Sequence, residues 1–167
     1  MPRRLLRDGK VVVDDWSLWD DAGVGDDAPL ILTFDRWQSD RERWLARRGR
    51  LGVILAPADE VERLVPDLAR LALAGAEFPN VSEGRGYTQG RLLRERWNFS
   101  GELRARGAVR RDHVFFLARC GFNSFELPDG ELESAAAAAL SSFSAAYQPS
   151  NDAGLAVHLK HRELGRH

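Results

Sequence analysis

Five short apolar runs recur along the chain, beginning near residues 30, 51, 72, 102 and 123, with helical periodicity between them. A recurrence of roughly 20 to 30 residues is that of βα units, in which a strand, a crossover helix and a second strand bring parallel strands side by side. The spacing predicts an α/β fold with a mainly parallel sheet of about five strands and flanking helices. Spacing does not set strand order, so a flavodoxin-like open sheet and a partial barrel both stay open.

The strand candidates are 30–34, 51–55, 71–78, 101–106 and 123–127. Ser39 and Glu42 fit a capping box that opens a helix over 40–48, with Gly49 as its stop. A short amphipathic helix from Asp59 places Val61, Leu64 and Val65 on one stripe, and Pro66 breaks it or starts a new turn. A helix over 85–97 turns Leu92, Leu93 and Trp97 inward. One over 109–120 does so with Val109, Phe116, Leu117 and Cys120, and Gly121 ends it. An alanine-rich helix over 131–143 packs through Leu132, Ala136, Leu140 and Phe143. Near the N-terminus, Asp8-Gly9 separates Leu5-Leu6 from Val11-Val12-Val13, the pattern of a β-hairpin with an aspartate-glycine turn. The chain thus divides into a hairpin and acidic loop at 1–29, an α/β domain at 30–147 and a flexible C-terminal tail at 148–167.

Composition removes several functions. Lys plus Arg number 24 against 25 Asp plus Glu, a net charge of -1, which is not the basic balance of a nucleic-acid-binding protein. The single cysteine, Cys120, leaves no intramolecular disulfide, no four-cysteine zinc site, and no iron–sulfur or siroheme ligand set in this chain. No cofactor is evident and no metal site is expected. No signal-peptide pattern and no run of about 20 apolar residues occurs, so the expected location is cytoplasmic and away from membranes. The bases are lopsided, 22 Arg to 2 Lys. Genome bias accounts for most of them on solvent-facing helix positions such as Arg41, Arg47, Arg94 and Arg110.

Four arginines form a testable cluster. The segment from Glu83 to Arg91 holds Gly84, Arg85, Gly86, Tyr87 and Gly90 between a strand candidate and a helix. Glycines there either let backbone approach an anion or cofactor closely, or simply make a tight turn and a packing notch at Gly90. The spacing is GxGxxxG, which is neither a dinucleotide fingerprint nor a Walker loop. The following strand alternates Glu102, Arg104 and Arg106 with apolar residues, so it is either an edge strand or faces a polar cleft. Convergence of Arg85, Arg91, Arg104 and Arg106 would make an oxyanion site, with Glu102 or Asp112 available as acid or base. Cys120 falls on an inward stripe and reads as a buried, inert thiol. His158, His161 and His167 sit in the tail, and the five tryptophans read as core and interface aromatics.

The block from Gly84 to Arg96, then Gly101 to Ala105, Arg119-Cys120-Gly121-Phe122 and Phe125-Glu126, resembles a bacterial family called domain of unknown function 934. Leu51-Gly52-Val53, Ala56-Pro57 and Phe78-Pro79 extend the similarity over about residues 30–148. The chain departs from the family pattern with Ala108 where an acid is favoured and His113 where a glutamine is favoured. The resemblance implies a setting beside assimilatory sulfite reductase, and a label of oxidoreductase sometimes given to the family. Three functions are therefore expected as alternatives. The first is an accessory protein of sulfate and sulfite reduction, binding sulfite reductase or an anionic intermediate through the Arg/Gly-rich loop. The second is an enzyme using a phosphate-bearing organic cofactor. The third is a structural subunit, for example a homodimer.

Overall fold

Alternation of apolar side chains builds one continuous sheet. The computed structural model describes residues 2–19 and 24–145, and side chains as far as 141. Eight strands are present: β1 (Arg4–Arg7), β2 (Lys10–Val13), β3 (Ser17–Leu18), β4 (Leu30–Thr33), β5 (Leu51–Leu55), β6 (Leu73–Phe78), β7 (Glu102–Gly107) and β8 (Ser124–Phe125). The helices are α1 (Phe34–Ser39), α2 (Arg41–Leu45), α3 (Arg85–Arg91), α4 (Val114–Arg119) and α5 (Leu132–Ala145). Strand order is β2-β1-β8-β7-β6-β5-β4-β3. Strands β3 to β8 run parallel, while β1 is antiparallel to both β8 and β2. The expectation of about five mainly parallel strands is thereby corrected to a mixed sheet of eight.

The parallel strands follow chain order without reversal. A flavodoxin-like sheet reverses its order at a switch point and carries helices on both faces. Here every crossover steps the same way, which keeps the helices on one face and lets the sheet curl. Chain reach sets how far it curls. Eight flat strands would hold β2 and β3 roughly 34 Å apart. Only Asp14, Asp15 and Trp16 join Val13 to Ser17, a path of at most roughly 14 Å. The two edges therefore approach each other, and the fold is a partial barrel whose opening is crossed by residues 14–16.

Each face carries its own core. Leu30, Leu32, Leu51, Val53, Leu55, Ala74, Ala76, Phe78, Leu103 and Ala105 point outward and pack beneath Trp37, Leu93, Leu117 and Leu132. The alternate residues Ile31, Ile54 and Leu73 point into the barrel and pack on Trp16. The Asp8-Gly9 turn closes the N-terminal hairpin with φ of 51° and 77°. Two successive positive φ values match the right-handed twist of the strands. The hairpin extends the sheet through β1 and β8.

Several local expectations change. Residues 40–48 are not one helix. Phe34 leaves the strand to open α1, where the Arg36 amide donates to Thr33 Oγ1 at 3.4 Å. Ser39 forms no capping box because its hydroxyl donates to the Arg36 carbonyl at 3.1 Å, and Asp40 heads α2 without a side-chain cap. The segment after Asp59 forms two 3-10 turns, Val61–Arg63 and Val65–Arg70. Helix α3 continues into a π turn, Leu92–Arg96. In α4 the inward stripe is Val114, Leu117 and Cys120, spaced by three, which leaves Phe115 and Phe116 about half exposed instead of Phe116 buried. Leu140 of α5 is likewise exposed. Gly121 does stop α4, at a φ of 104° that favours glycine. Phe143's side chain, the tail and its histidines lie outside the described residues.

Candidate functional site at the mouth of the barrel

The sheet divides the sequence-predicted arginines. Leu103 and Ala105 of β7 belong to the helix-side core, so Arg104 and Arg106 point to the opposite, inner face. Arg85 and Arg91 ride on α3, which packs on the helix side through Gly86 against Phe78. The four side chains do not converge on one cleft. Arg85 is held by Glu83, with Nε to Oε1 at 3.0 Å and its own amide donating to the same oxygen at 3.1 Å. Arg91 pairs with Glu95 at 3.7 Å.

The glycines of this segment are accounted for by packing. A Cβ at Gly86 would lie 2.5 Å from the Phe78 ring, and one at Gly90 would collide with Phe122. Gly84 alone faces open space. Tyr87 fits between Phe78 and Phe116, with ring centroids 5.3 and 5.2 Å away. Cys120 is fully buried, and burial pushes its thiol up despite the neighbouring Arg91.

Of the two acids singled out, Asp112 is highly exposed beside Arg111, whereas Glu102 is nearly buried and accepts from Arg104 Nη2 at 2.8 Å. The strand β7 is not an edge strand, since it pairs with both β6 and β8. Its charges face the part of the barrel interior that Asp14 and Glu126 also enter. Fully buried Arg104 meets Asp14, Glu102 and Glu126 at 2.8–3.1 Å. Burial alone would push Asp14 up, but hydrogen bonding and charge from Arg104 hold its carboxyl below the usual range.

Two further arginines expected on the solvent face are structural forks. Arg94 donates to the carbonyls of Gly121, Phe99 and Gly101 at 2.7–2.8 Å and to Asn123 Oδ1 at 3.1 Å. Arg47, only 8% exposed, donates to the Ala28 carbonyl at 2.7 Å. Planar guanidinium satisfies several fixed acceptors at once, which draws arginine inward.

Strand C-termini in α/β folds are where ligands bind. At that end of the barrel a cavity of about 320 Å³ opens on the inner face. Its floor is Leu18, Ile31 and Ile54, and its rim carries Trp19, Thr33, Arg36, Glu77 and Arg106. Arg36 lies over the Trp19 ring, 5.0 Å from its centroid, and among the described residues it has no carboxylate partner. Trp19 is itself braced edge-on by Trp44 at 4.8 Å. Across the floor, Glu77 and Arg106 are direct partners in the β6–β7 register and form an ion pair at 3.1 Å. Glu126 approaches Arg106 from the far side at 3.7 Å. Burial pushes the Glu77 carboxyl up; Arg106 opposes this and Glu126 reinforces it. A carboxyl raised in a cavity beside a cation can bind an anion by hydrogen bonding and can exchange a proton.

Of the predicted residues only Arg106 reaches this cavity. Glu77, Arg36 and Thr33 were not singled out from sequence, and Trp19 was read only as a core or interface aromatic. The one usable signal was Glu77, an isolated acid within the apolar run 73–78. Among the described residues no group of three or more His, Cys, Asp and Glu side chains could hold a metal ion, and no helix is long and apolar enough to cross a membrane.

Fold and cavity together define an α/β partial-barrel protein with a charged site at its strand C-termini. Residues 52–158 match the family described as bacterial protein of unknown function (DUF934), and the chain belongs to that family. Comparison with curated proteins finds no match.

Proposed function

We propose that this chain is an accessory protein of assimilatory sulfite reduction that holds a small anion in the cavity at the mouth of its barrel. The sulfur setting is what the family resemblance implies. The anion site is supported by one observation above all: Arg36 and Arg106 line the same cavity, and Arg36 is braced on Trp19 without a carboxylate of its own among the described residues. Guanidinium groups present planar forks that match oxyanions. Sulfite reductase is the proposed protein partner, approached through the outer face of α3, where Arg85 is exposed. Calorimetric titration with sulfite and sulfate, together with co-purification of the reductase, tests this reading. Binding lost in Arg36→Ala and a retained reductase support it. Absence of both anion binding and reductase retention overturns it.

Glu77 favours a second reading, an enzyme that acts on the bound anion or on a phosphate-bearing organic cofactor. Its raised carboxyl suits general acid–base work beside Arg106. On that reading Glu77→Gln abolishes turnover while ligand binding persists.

A further inference from the structure

The polar groups of the mouth cavity are not gathered at one point. Arg36 follows β4, whereas Glu77 and Arg106 stand on β6 and β7, two and three strands away. Strand spacing puts these two poles roughly 10–14 Å apart at their backbones. Between them lie Ile31 and Ile54, with Leu18 beside them and the Trp19 ring as a wall. At about 320 Å³ the cavity holds the share of roughly ten water molecules and falls within the size range of small-molecule pockets.

A bare tetrahedral or pyramidal oxyanion fills neither the volume nor the span. Seated at Arg36, it leaves the middle of the cavity above Ile31 and Ile54 to water and does not reach Glu77. Moved over the isoleucines, it gives up hydration without replacement hydrogen bonds, which is strongly unfavourable for a charge. A molecule with an oxyanion head, an apolar body and a hydrogen-bonding far end satisfies all three regions together. We infer that the ligand of this cavity is a small organic anion, with its sulfonate, phosphate or carboxylate head on Arg36, its apolar body over Ile31 and Ile54, and its polar far end at the Glu77–Arg106 pair.

This inference rests on the anion-site reading above, and it names the class of ligand. The full chain is titrated with sulfate, benzenesulfonate and 4-hydroxybenzenesulfonate, following heat and tryptophan fluorescence. Benzenesulfonate should bind at least about tenfold more tightly than sulfate, because its ring removes apolar surface from water. The 4-hydroxy compound should bind more tightly again, and Glu77→Ala should erase that second gain alone. Arg36→Ala should weaken all three. If sulfate equals benzenesulfonate while Arg36→Ala weakens both, the organic class is wrong and the anion site stands. If no probe binds, or if binding ignores Arg36→Ala, the site itself is wrong and the inference falls with it.

Discussion

Arg104 grips Asp14 with both arms of its guanidinium, Nη1 to Oδ2 at 3.0 Å and Nη2 to Oδ1 at 3.1 Å, and neither side chain is exposed to solvent. The pair ties the segment that crosses the barrel opening to β7, a strand far from it in sequence. It is the polar counterpart of Trp16, which packs the same inner face on Ile31, Ile54 and Leu73.

Removing Arg104 should be costly. Arg104→Ala empties the position between Asp14, Glu102 and Glu126 and leaves them only their outer partners Arg3, Arg7 and Arg106, and loss of one partner of a buried ion pair costs about 3–5 kcal/mol. Asp14→Asn should cost less, about 1–3 kcal/mol, since Arg104 keeps Glu102 and Glu126. Urea denaturation of the two variants checks the order.

The same pair fixes the sign of an acid effect. Asp14 has its folded-state pKa below the ordinary 3.8, so its contribution is complete above that value and is lost as pH falls through the folded value. Stability should drop below about pH 4, and the drop should be shallower in Asp14→Asn. Chemical denaturation at a series of pH values measures it.

Glu77 has the opposite sign. Burial raises its folded pKa above the ordinary 4.5, so the folded chain keeps a proton that the unfolded chain has released. Its neutral form also repels an anion less. Anion affinity should therefore rise as pH falls into the Glu77 range, with Arg106, Glu126 and Arg36 as the charges around it. A titration series should show that rise in the native chain and a flat profile in Glu77→Gln.

Gly90 should tolerate no side chain. Its missing Cβ is the space filled by Phe122, and overpacking costs about 1–3 kcal/mol. Gly90→Ala should lower the melting temperature, and adding Phe122→Leu should recover part of the loss. No recovery would place the cost in the backbone of α3.

Much of the fold was legible because β5 to β7 announce themselves locally. Leu51–Leu55 is a continuous buried run, and 73–78 and 102–107 lie close to their expected bounds. The curl was not legible, since it follows from strand order and from the short bridge between β2 and β3. Strand β3 has only two residues and carries no periodicity. The site was harder still. Glu77 and Arg106 meet through register between strands, and Arg36 reaches the cavity only because Thr33 starts a helix earlier than Ser39 suggested. Arg94 and Arg47 show the converse: a charged residue in a helical pattern reads as surface until the carbonyls that it serves are in place.

The central claim is that anions bind at the barrel mouth and not at the glycine-bearing segment of α3. Calorimetric titration of benzenesulfonate onto the native chain, Arg36→Ala and Arg85→Ala compares the two places directly. Binding should be weakened in Arg36→Ala and unchanged in Arg85→Ala, whose guanidinium already serves Glu83. Loss in Arg85→Ala with binding intact in Arg36→Ala would contradict the account.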